Sequence, residues 1–480
     1  MDNTILFNKT KIVATVGPAS NNKETLINLV KAGADVFRLN FSHGTHADHL
    51  KVINLVQEIN NELGTNIALL QDLQGPKIRT NLIKGGEVQI EQGQQLIITT
   101  REDVEGDEKI ISTTYKALPN DVNVGDSILI DDGKLELKVE STSHDEVVTR
   151  IIHGGSLKSR KGINLPDTRV SSASLTDKDE VDLAFGLTQE IDWIALSFVR
   201  SAVDIHHLKE KIKAAGKKTL VVAKVEKPEA IKNIDEIIEA TDGVMVARGD
   251  LGVEIAMQDV PLQQKRIVEK CNKAGKPVII ATQMLESMID NPRPTRAETN
   301  DVANGVLDGA DAVMLSAESA SGQFPVLAVK AMANIIKAVE DHSSDIYNKF
   351  HDDGEDDSLT RLNDKLVRAA CRLSMSVEAK AIIGMTKSGY TGYKLASHRP
   401  KASIFIFTDK KPLLRAMNLV WGIRGFHYDK MEGIDDTFDH LEEILVEKGH
   451  LFTGDVYINT SSMPLHWKTH TNMIKINVTG

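Results

Sequence analysis

Two short apolar runs end in charged residues spaced two apart: Val221-Val222-Ala223-Lys224-Val225-Glu226 and, further along, Val244-Met245-Val246-Ala247-Arg248-Gly249-Asp250. Read as strands, the pleat sets Lys224 with Glu226, and Arg248 with Asp250, on one side of a sheet. An ammonium and a guanidinium beside two carboxylates suit a divalent metal held together with a phosphorylated anion. The carboxylates ligate the metal and the cations neutralise the phosphate. Arg38, Asn40 and Ser42 repeat the spacing in residues 36–44, Asp72 ends a third run, and Thr282 and Glu318 follow later ones. Unrelated solvated charges would not recur at strand ends in this way, so the expectation is a single active-site rim.

The elements that must carry these residues are eight apolar runs, at 11–16, 36–41, 68–73, 193–198, 220–225, 244–247, 278–281 and 312–315. Helical periodicity separates them, as in Leu26, Leu29, Val30 and Ala34, or Ile231, Ile234, Ile237 and Ile238 after Pro228. Eight such units predict an α/β fold of the (β/α)8 TIM-barrel type, with chemistry at the C-terminal ends of its strands. One unit takes roughly 30 residues, so most of the interval between the third and fourth runs is an insertion. Its short alternating runs at 95–99, 127–130, 135–139 and 146–152, with glycines at the turns, predict a small inserted β-barrel domain placed as a lid over the rim. The polar stretch 341–358 reads as a linker. Beyond it, runs at 381–385, 403–407, 425–428, 456–459 and 473–478 alternate with helical patterns and predict an open α/β sheet. The expected division is 1–76 with 168–342 as catalytic barrel, 77–167 as lid and 343–480 as C-terminal domain, without internal repeats.

A chain of 480 residues divides into about three domains. With 41% hydrophobic residues it can bury substantial cores. The formal charge of -11 excludes the basic surface that nucleic acid or an anionic membrane requires. Cys271 and Cys371 lie far apart in helical patterns, which offers neither a disulfide framework nor a CxxC site and fits a reducing cytoplasm. Residues 1–11 are polar, and no run approaches ~18 apolar residues, so neither secretion nor membrane spanning is expected.

Longer motifs stand around these residues: KIVATVGPAS at 11–20, RLNFSHGT at 38–45, QDLQGPKIRT at 71–80, KGINLP at 161–166, KVE at 224–226, ARGDLG at 247–252, ATQMLESM at 281–288 and NPRPTRAE at 291–298. In this order they closely resemble the pyruvate kinase family, and the resemblance covers nearly the whole chain. It implies a phosphotransferase of glycolysis that moves the phosphoryl group of phosphoenolpyruvate to ADP, giving ATP and pyruvate, in a homotetramer. By this resemblance Glu226 and Asp250 bind Mg2+ or Mn2+, and Lys224 and Arg38 handle the phosphoryl group. Gly249 with Asp250 lies under the substrate, and Thr282 stands at its methylene side. Asn40, His43, Arg79 and Lys161 would serve the nucleotide. Asn40, Ser42, Asp72 and the Leu73 carbonyl match the family's monovalent-cation ligands, but Lys77 stands where potassium-dependent members carry glutamate. An ammonium there can supply the charge K+ otherwise brings, so activity without K+ is expected. The series His43, His46 and His49 reads as a polar helix start, not a metal site.

Thr386, Lys387, Ser388, Gly389 and Thr391 follow a strand and open a helix, which suits a phosphate at the positive helix end. The stretch resembles the family's effector loop. Residues 460–468 lack the Arg-Pro-Gly turn of relatives activated by fructose 1,6-bisphosphate, which argues against that effector. Competing readings are a Mg2+-dependent carbon-carbon lyase, a Schiff-base aldolase using Lys224, and a non-catalytic sugar-phosphate sensor.

Overall fold

The computed structural model describes residues 5–351, 359–430, 433–463 and 471–480. Eight parallel strands close into a barrel: β1 (Lys11–Val16), β2 (Val36–Asn40), β3 (Ala68–Asp72), β4 (Trp193–Leu196), β5 (Leu220–Val225), β6 (Gly243–Ala247), β7 (Val278–Ala281) and β8 (Ala312–Leu315). Each pairs with its neighbours in the chain, and β8 returns to β1. Both faces of the strands are buried, as a helix-covered parallel sheet requires. Ile12, Leu69, Ile194, Val221 and Val246 pack outwards on the helices, while Val13, Val36, Leu70, Trp193, Val222, Met245 and Ile279 fill the interior. Capping boxes at Thr45/Asp48, Thr176/Asp179, Ser201/Asp204 and Thr295/Glu298 start four of the helices by satisfying their first amides reciprocally.

One repeat escapes sequence inspection. Asp35, Asp192, Asp242 and Asp311 stand directly before β2, β4, β6 and β8. Each carboxylate accepts an amide hydrogen at the start of the preceding strand, from Ile12, Leu69 and Val221 at 2.9 Å and from Val278 at 3.1 Å. Gly-Ala-Asp stands before both β2 and β8, but the aspartate alone is common to all four places, so the expectation of no internal repeat missed it.

Between β3 and β4, strands Ile163–Asn164, Ser127–Ile130, Leu135–Thr142, Glu146–His153, Gln95–Thr99 and Ile110–Ser112 form, in that order, one six-stranded sheet. A separate ribbon pairs Glu87–Ile90 with Gly155–Lys158. Isolated bridges from Arg79 to Gly162 and from Thr80 to Thr113 link the two edges of the six-stranded sheet. Four of these strands went unread, since two to four residues scarcely display a period of two; among strands of that length only Ser127–Ile130, with its apolar Ile-Leu-Ile, was read. The C-terminal sheet runs Ile423–His427, Ser403–Thr408, Ala381–Met385, Val456–Ser461, Met473–Val478, with only the last strand antiparallel. Most of the acidic part of the linker reading, and residues 464–468, lie outside the described residues. No described helix is long and apolar enough to cross a membrane.

The C-terminal domain closes the barrel mouth opposite the rim. Ala416 and Leu419 belong to the cluster that fills the barrel interior, and the Trp193 indole donates to the Ala416 carbonyl at 3.0 Å. Arg415 pairs with Asp192 at 3.0 Å, and the fully buried Arg399 with Asp311 at 3.0 Å. Burial pushes the Asp192 carboxyl up to about 6 against the pull of Arg415. Beside Arg399, His398 is 1% exposed, and burial, with His351, Lys394, Arg368 and Arg372 around it, lowers its pKa to about 3. The ring is therefore neutral when folded but protonates near 6.5 when unfolded, so its stabilising share is complete above that pH and drains away as pH falls. At pH 5.5 the loss is about 1.4 kcal/mol. Unfolding midpoints of wild type and His398→Leu at pH 7.5 and 5.5 check this. The variant is expected to lose less stability on acidification, and equal losses would refute the assignment.

Candidate active site

At the C-terminal rim, β2, β3 and β5 bring Arg38, Asp72 and Lys224 together. Arg38 Nε donates to Asp72 Oδ2 at 2.6 Å, and its Nη1 donates to the Thr15 hydroxyl at 3.0 Å. Lys224 Nζ lies 3.2 Å from Asp72 Oδ1 and 2.9 Å from Glu226 Oε1, and donates to Ser197 Oγ at 2.7 Å. The pair spaced two apart in β5 thus faces one side, as its pleat demands. Burial alone would lower the Lys224 pKa, but Asp72 and Glu226 overcome it and hold the ammonium above the usual lysine value. Burial also works on Asp72 in the opposite sense, yet Lys224 and Arg38 keep its carboxyl below the usual range. Glu226, 1% exposed, is raised by burial; Lys224 opposes this and the nearby Asp250 carboxylate adds to it.

The second charged pair is built differently from the sequence expectation. β6 ends at Ala247, and Arg248–Glu254 is a short helix with Asp250 in its first turn, where a carboxylate suits the helix dipole. Residues two apart on a helix lie ~200° apart around its axis, so Arg248 and Asp250 part company. Arg248 forms a bidentate pair with Asp301 at 2.6 and 2.7 Å and donates to the Thr282 carbonyl at 2.8 Å. Asp250 meets Lys77 Nζ at 3.1 Å. The Gly249 amide donates to Thr282 Oγ1 at 2.7 Å, and that hydroxyl donates to the Ala281 carbonyl at 2.6 Å. Thr282 has φ 70°, and Phe198, just past β4, has φ 54°. Side chains rarely hold such values unless their surroundings enforce them, and they gather at functional sites. Glu318 does not face the rim chemistry. Its carboxylate accepts the Leu285 and Ser316 amides at 3.1 and 2.7 Å.

Glu226 and Asp250 are the two rim carboxylates that could share a cation, since the Asp250 carboxylate raises the cost of negative charge on the buried Glu226. Among the described residues no group of three or more His, Cys, Asp or Glu is placed to hold a metal. His46 pairs with Asp182 at 2.7 Å, and His49 Nε2 donates to the His43 carbonyl at 3.0 Å while its ring stacks on Phe41. His46 and His49 thus have partners within the fold, while His43 is the member of the series expected at the nucleotide.

Arg38, Asn40 and His43 line a cavity of about 740 Å³ that runs between β1, β2 and the helix Ala317–Ala320. Arg79 and Lys161 do not line it. Both belong to the inserted segment, where Arg79 Nη1 donates to the Arg160 carbonyl at 3.3 Å and Lys161 pairs with Asp131 at 2.9 Å. The groups resembling monovalent-cation ligands already have protein partners: Ser42 N donates to Asn40 Oδ1 at 3.1 Å, and Ser197 Oγ to the Leu73 carbonyl at 2.7 Å. In the C-terminal loop, Thr386 Oγ1 accepts the Gly389 amide at 2.9 Å, Ser388 Oγ the Tyr390 amide at 3.4 Å, and Lys410 donates to the Lys387 carbonyl. The Thr391 hydroxyl is buried against that of Thr471 at 2.7 Å.

Sequence reasoning passed over Thr15, Ser197 and Asp301. The first two are polar residues at strand ends, so the rule that selected Arg38 and Asp72 would have found them. Asp301, inside the helix Arg296–Asp308, carries no such signal.

Barrels of this kind do their chemistry where these side chains meet, and this chain is a (β/α)8-barrel enzyme. Residues 7–329 match the family described as pyruvate kinase, barrel domain, and 364–477 that described as pyruvate kinase, alpha/beta domain. The chain is 44% identical over 482 residues to pyruvate kinase 2 of Synechocystis, spanning 100% of this chain and 80% of that one. It is 42% identical over 476 residues to pyruvate kinase of Geobacillus stearothermophilus, spanning 98% and 80%. The crystal structure of a pyruvate kinase from Cryptosporidium parvum superposes with a TM-score of 0.92 at 33% identity, covering 100% of this chain and 98% of that one. The chain belongs to the pyruvate kinase family.

Proposed function

We propose that the protein transfers the phosphoryl group of phosphoenolpyruvate to ADP, with Arg38 and Lys224 at the phosphoryl group and Glu226 and Asp250 holding Mg2+. The observation that carries this reading is the Lys224 ammonium, kept cationic between two carboxylates at the barrel rim beside Arg38. The bond from phosphorus to the enol oxygen breaks as one to the terminal ADP oxygen forms, and the enolpyruvate released takes a proton at its methylene carbon. A fixed ammonium stabilises charge growing on the enol oxygen and the migrating group more than it stabilises the bound substrate. Arg38 presents a planar fork to phosphoryl oxygens. Mg2+ would supply charge neutralisation across the transferring phosphate. The repulsion between Glu226 and Asp250 favours such a cation. Gly249, with Thr282 bracing its amide, supports the substrate, and Thr282 stands on the methylene side.

Asn40 and His43 take the nucleotide from the cavity beside Arg38, and Arg79 and Lys161 reach it as the inserted domain closes. A Schiff-base aldolase would need a neutral amine, and the carboxylates around Lys224 hold the proton on it. By the same family reading the enzyme is a cytoplasmic homotetramer of glycolysis.

Detection of pyruvate formed from phosphoenolpyruvate and ADP in the presence of Mg2+ tests the reaction. Chelating the metal with EDTA is expected to abolish turnover. Glu226→Gln keeps the side-chain size but removes a charge, and should raise the Mg2+ concentration for half-maximal rate by about tenfold or more. An unchanged Mg2+ dependence would remove Glu226 from the metal site.

A further inference from the structure

The four-residue loop 197–200 after β4 touches Lys224, Glu226 and both connections of the inserted domain. Ser197 Oγ accepts from Lys224 and donates to the Leu73 carbonyl, both at 2.7 Å. The Phe198 amide donates to Glu226 Oε2 at 2.8 Å, from a backbone held at φ 54°. The outgoing connection to the inserted domain lies on the same loop. At Gly75, itself at φ 69°, an added Cβ would stand 2.7 Å from Ser197 Cβ and 2.8 Å from Phe198 Cδ2. The returning connection is gripped by Arg200, whose guanidinium donates to the Val170 carbonyl at 2.5 Å and the Ser172 carbonyl at 2.8 Å. Arg200 is in turn fixed from below, since its amide donates to Asp204 at 2.9 Å and its carbonyl accepts from Asn233 at 2.9 Å.

We propose that loop 197–200 is the fulcrum on which both connections of the inserted domain turn, and that Arg200 is a positioning residue for Lys224 and Glu226. The proposal rests on the phosphotransfer reading. Arg200 lies three residues from Ser197 and touches neither the lysine nor the glutamate. Its grip on 170–172 and the contact of Gly75 with Ser197 and Phe198 hold the loop from both sides. A left-handed Phe198 persists only while its surroundings over-determine it. Slackening one connection lets Phe198 relax, which withdraws the amide from Glu226 and shifts the Ser197 hydroxyl beneath Lys224. Closing the inserted domain would thereby set the reacting charges at the same moment that it brings Arg79 and Lys161 to the nucleotide.

Amide hydrogen exchange and steady-state kinetics on full-length wild type, Arg200→Ala and Arg200→Lys test this. In Arg200→Ala, exchange is expected to quicken both at 168–172 and at the Phe198 amide. The kcat should fall about tenfold while KM for phosphoenolpyruvate moves less than about twofold, the range expected when coupling is lost without loss of a substrate contact. Arg200→Lys, which keeps one donor and the charge, should recover part of both effects. Faster exchange at 168–172 with Phe198 exchange and kcat unchanged would overturn the proposal. If Arg200→Ala does not fold, Arg200→Gln carries the same comparison under the same two outcomes. Wild-type protein that fails to turn over phosphoenolpyruvate and ADP would instead overturn the phosphotransfer reading. The exchange measurement, which needs no turnover, keeps the two failures apart.

Discussion

Lys224→Met is expected to lower kcat by about three orders of magnitude, with a far smaller change in KM for phosphoenolpyruvate. The ammonium contacts Asp72, Glu226 and Ser197 together, and methionine fills nearly the same volume without its charge. A group that acts on charge developing in the transition state shows its loss in kcat; one that merely binds substrate shows it in KM. The substitution also leaves Glu226 buried without its cation, so its carboxyl will protonate more readily and some stability will be lost. Circular dichroism at the assay temperature separates the two effects. Folded Lys224→Met that keeps more than a tenth of wild-type turnover would remove Lys224 from the reaction.

The second large effect concerns K+. Wild-type turnover should differ by less than about twofold between K+ and tetramethylammonium, whereas Lys77→Glu should lose about a hundredfold in tetramethylammonium and regain part of it with K+. Lys77 Nζ stands 3.1 Å from Asp250, so a fixed positive charge already sits beside a rim carboxylate. Around it Arg38 and Lys224 face the two oxygens of Asp72 at 2.6 and 3.2 Å, and a hydroxyl and an amide occupy the Leu73 carbonyl and the Asn40 side-chain oxygen. Glutamate at 77 would change the local charge by two beside Asp250. At 4 Å and an effective dielectric of ~20, each unit of charge is worth about 4 kcal/mol before screening. Rates in the two salts at matched ionic strength decide the matter, and a strong stimulation of wild type by KCl would refute it.

The barrel was legible because parallel strands buried on both faces leave unbroken apolar runs, and Lys224 with Glu226 was legible because β5 keeps its pleat to Val225. The same rule misdirected Arg248. Nothing in the apolar run 244–247 announces that the chain coils immediately afterwards, although an aspartate in the third place is an ordinary sign of a helix start. Partnerships set by tertiary structure, such as Arg248 with Asp301 or Arg200 with the carbonyls of 170 and 172, join segments whose spacing follows no local period. The inserted domain was recognisable as β from its longer strands and the apolar Ser127–Ile130, since its other short strands are defined by pairing and not by their own sequence.

Because Ala416 and Leu419 complete the interior packing of the barrel and Arg415 and Arg399 neutralise Asp192 and Asp311, the last third of the polypeptide is a structural member of the catalytic body. A gene shortened after the barrel would encode a cylinder with an uncorked greasy end and two stranded buried anions, a species suited to clumping more than to catalysis. Selection therefore has reason to keep that third in every descendant, whether or not any metabolite ever binds there.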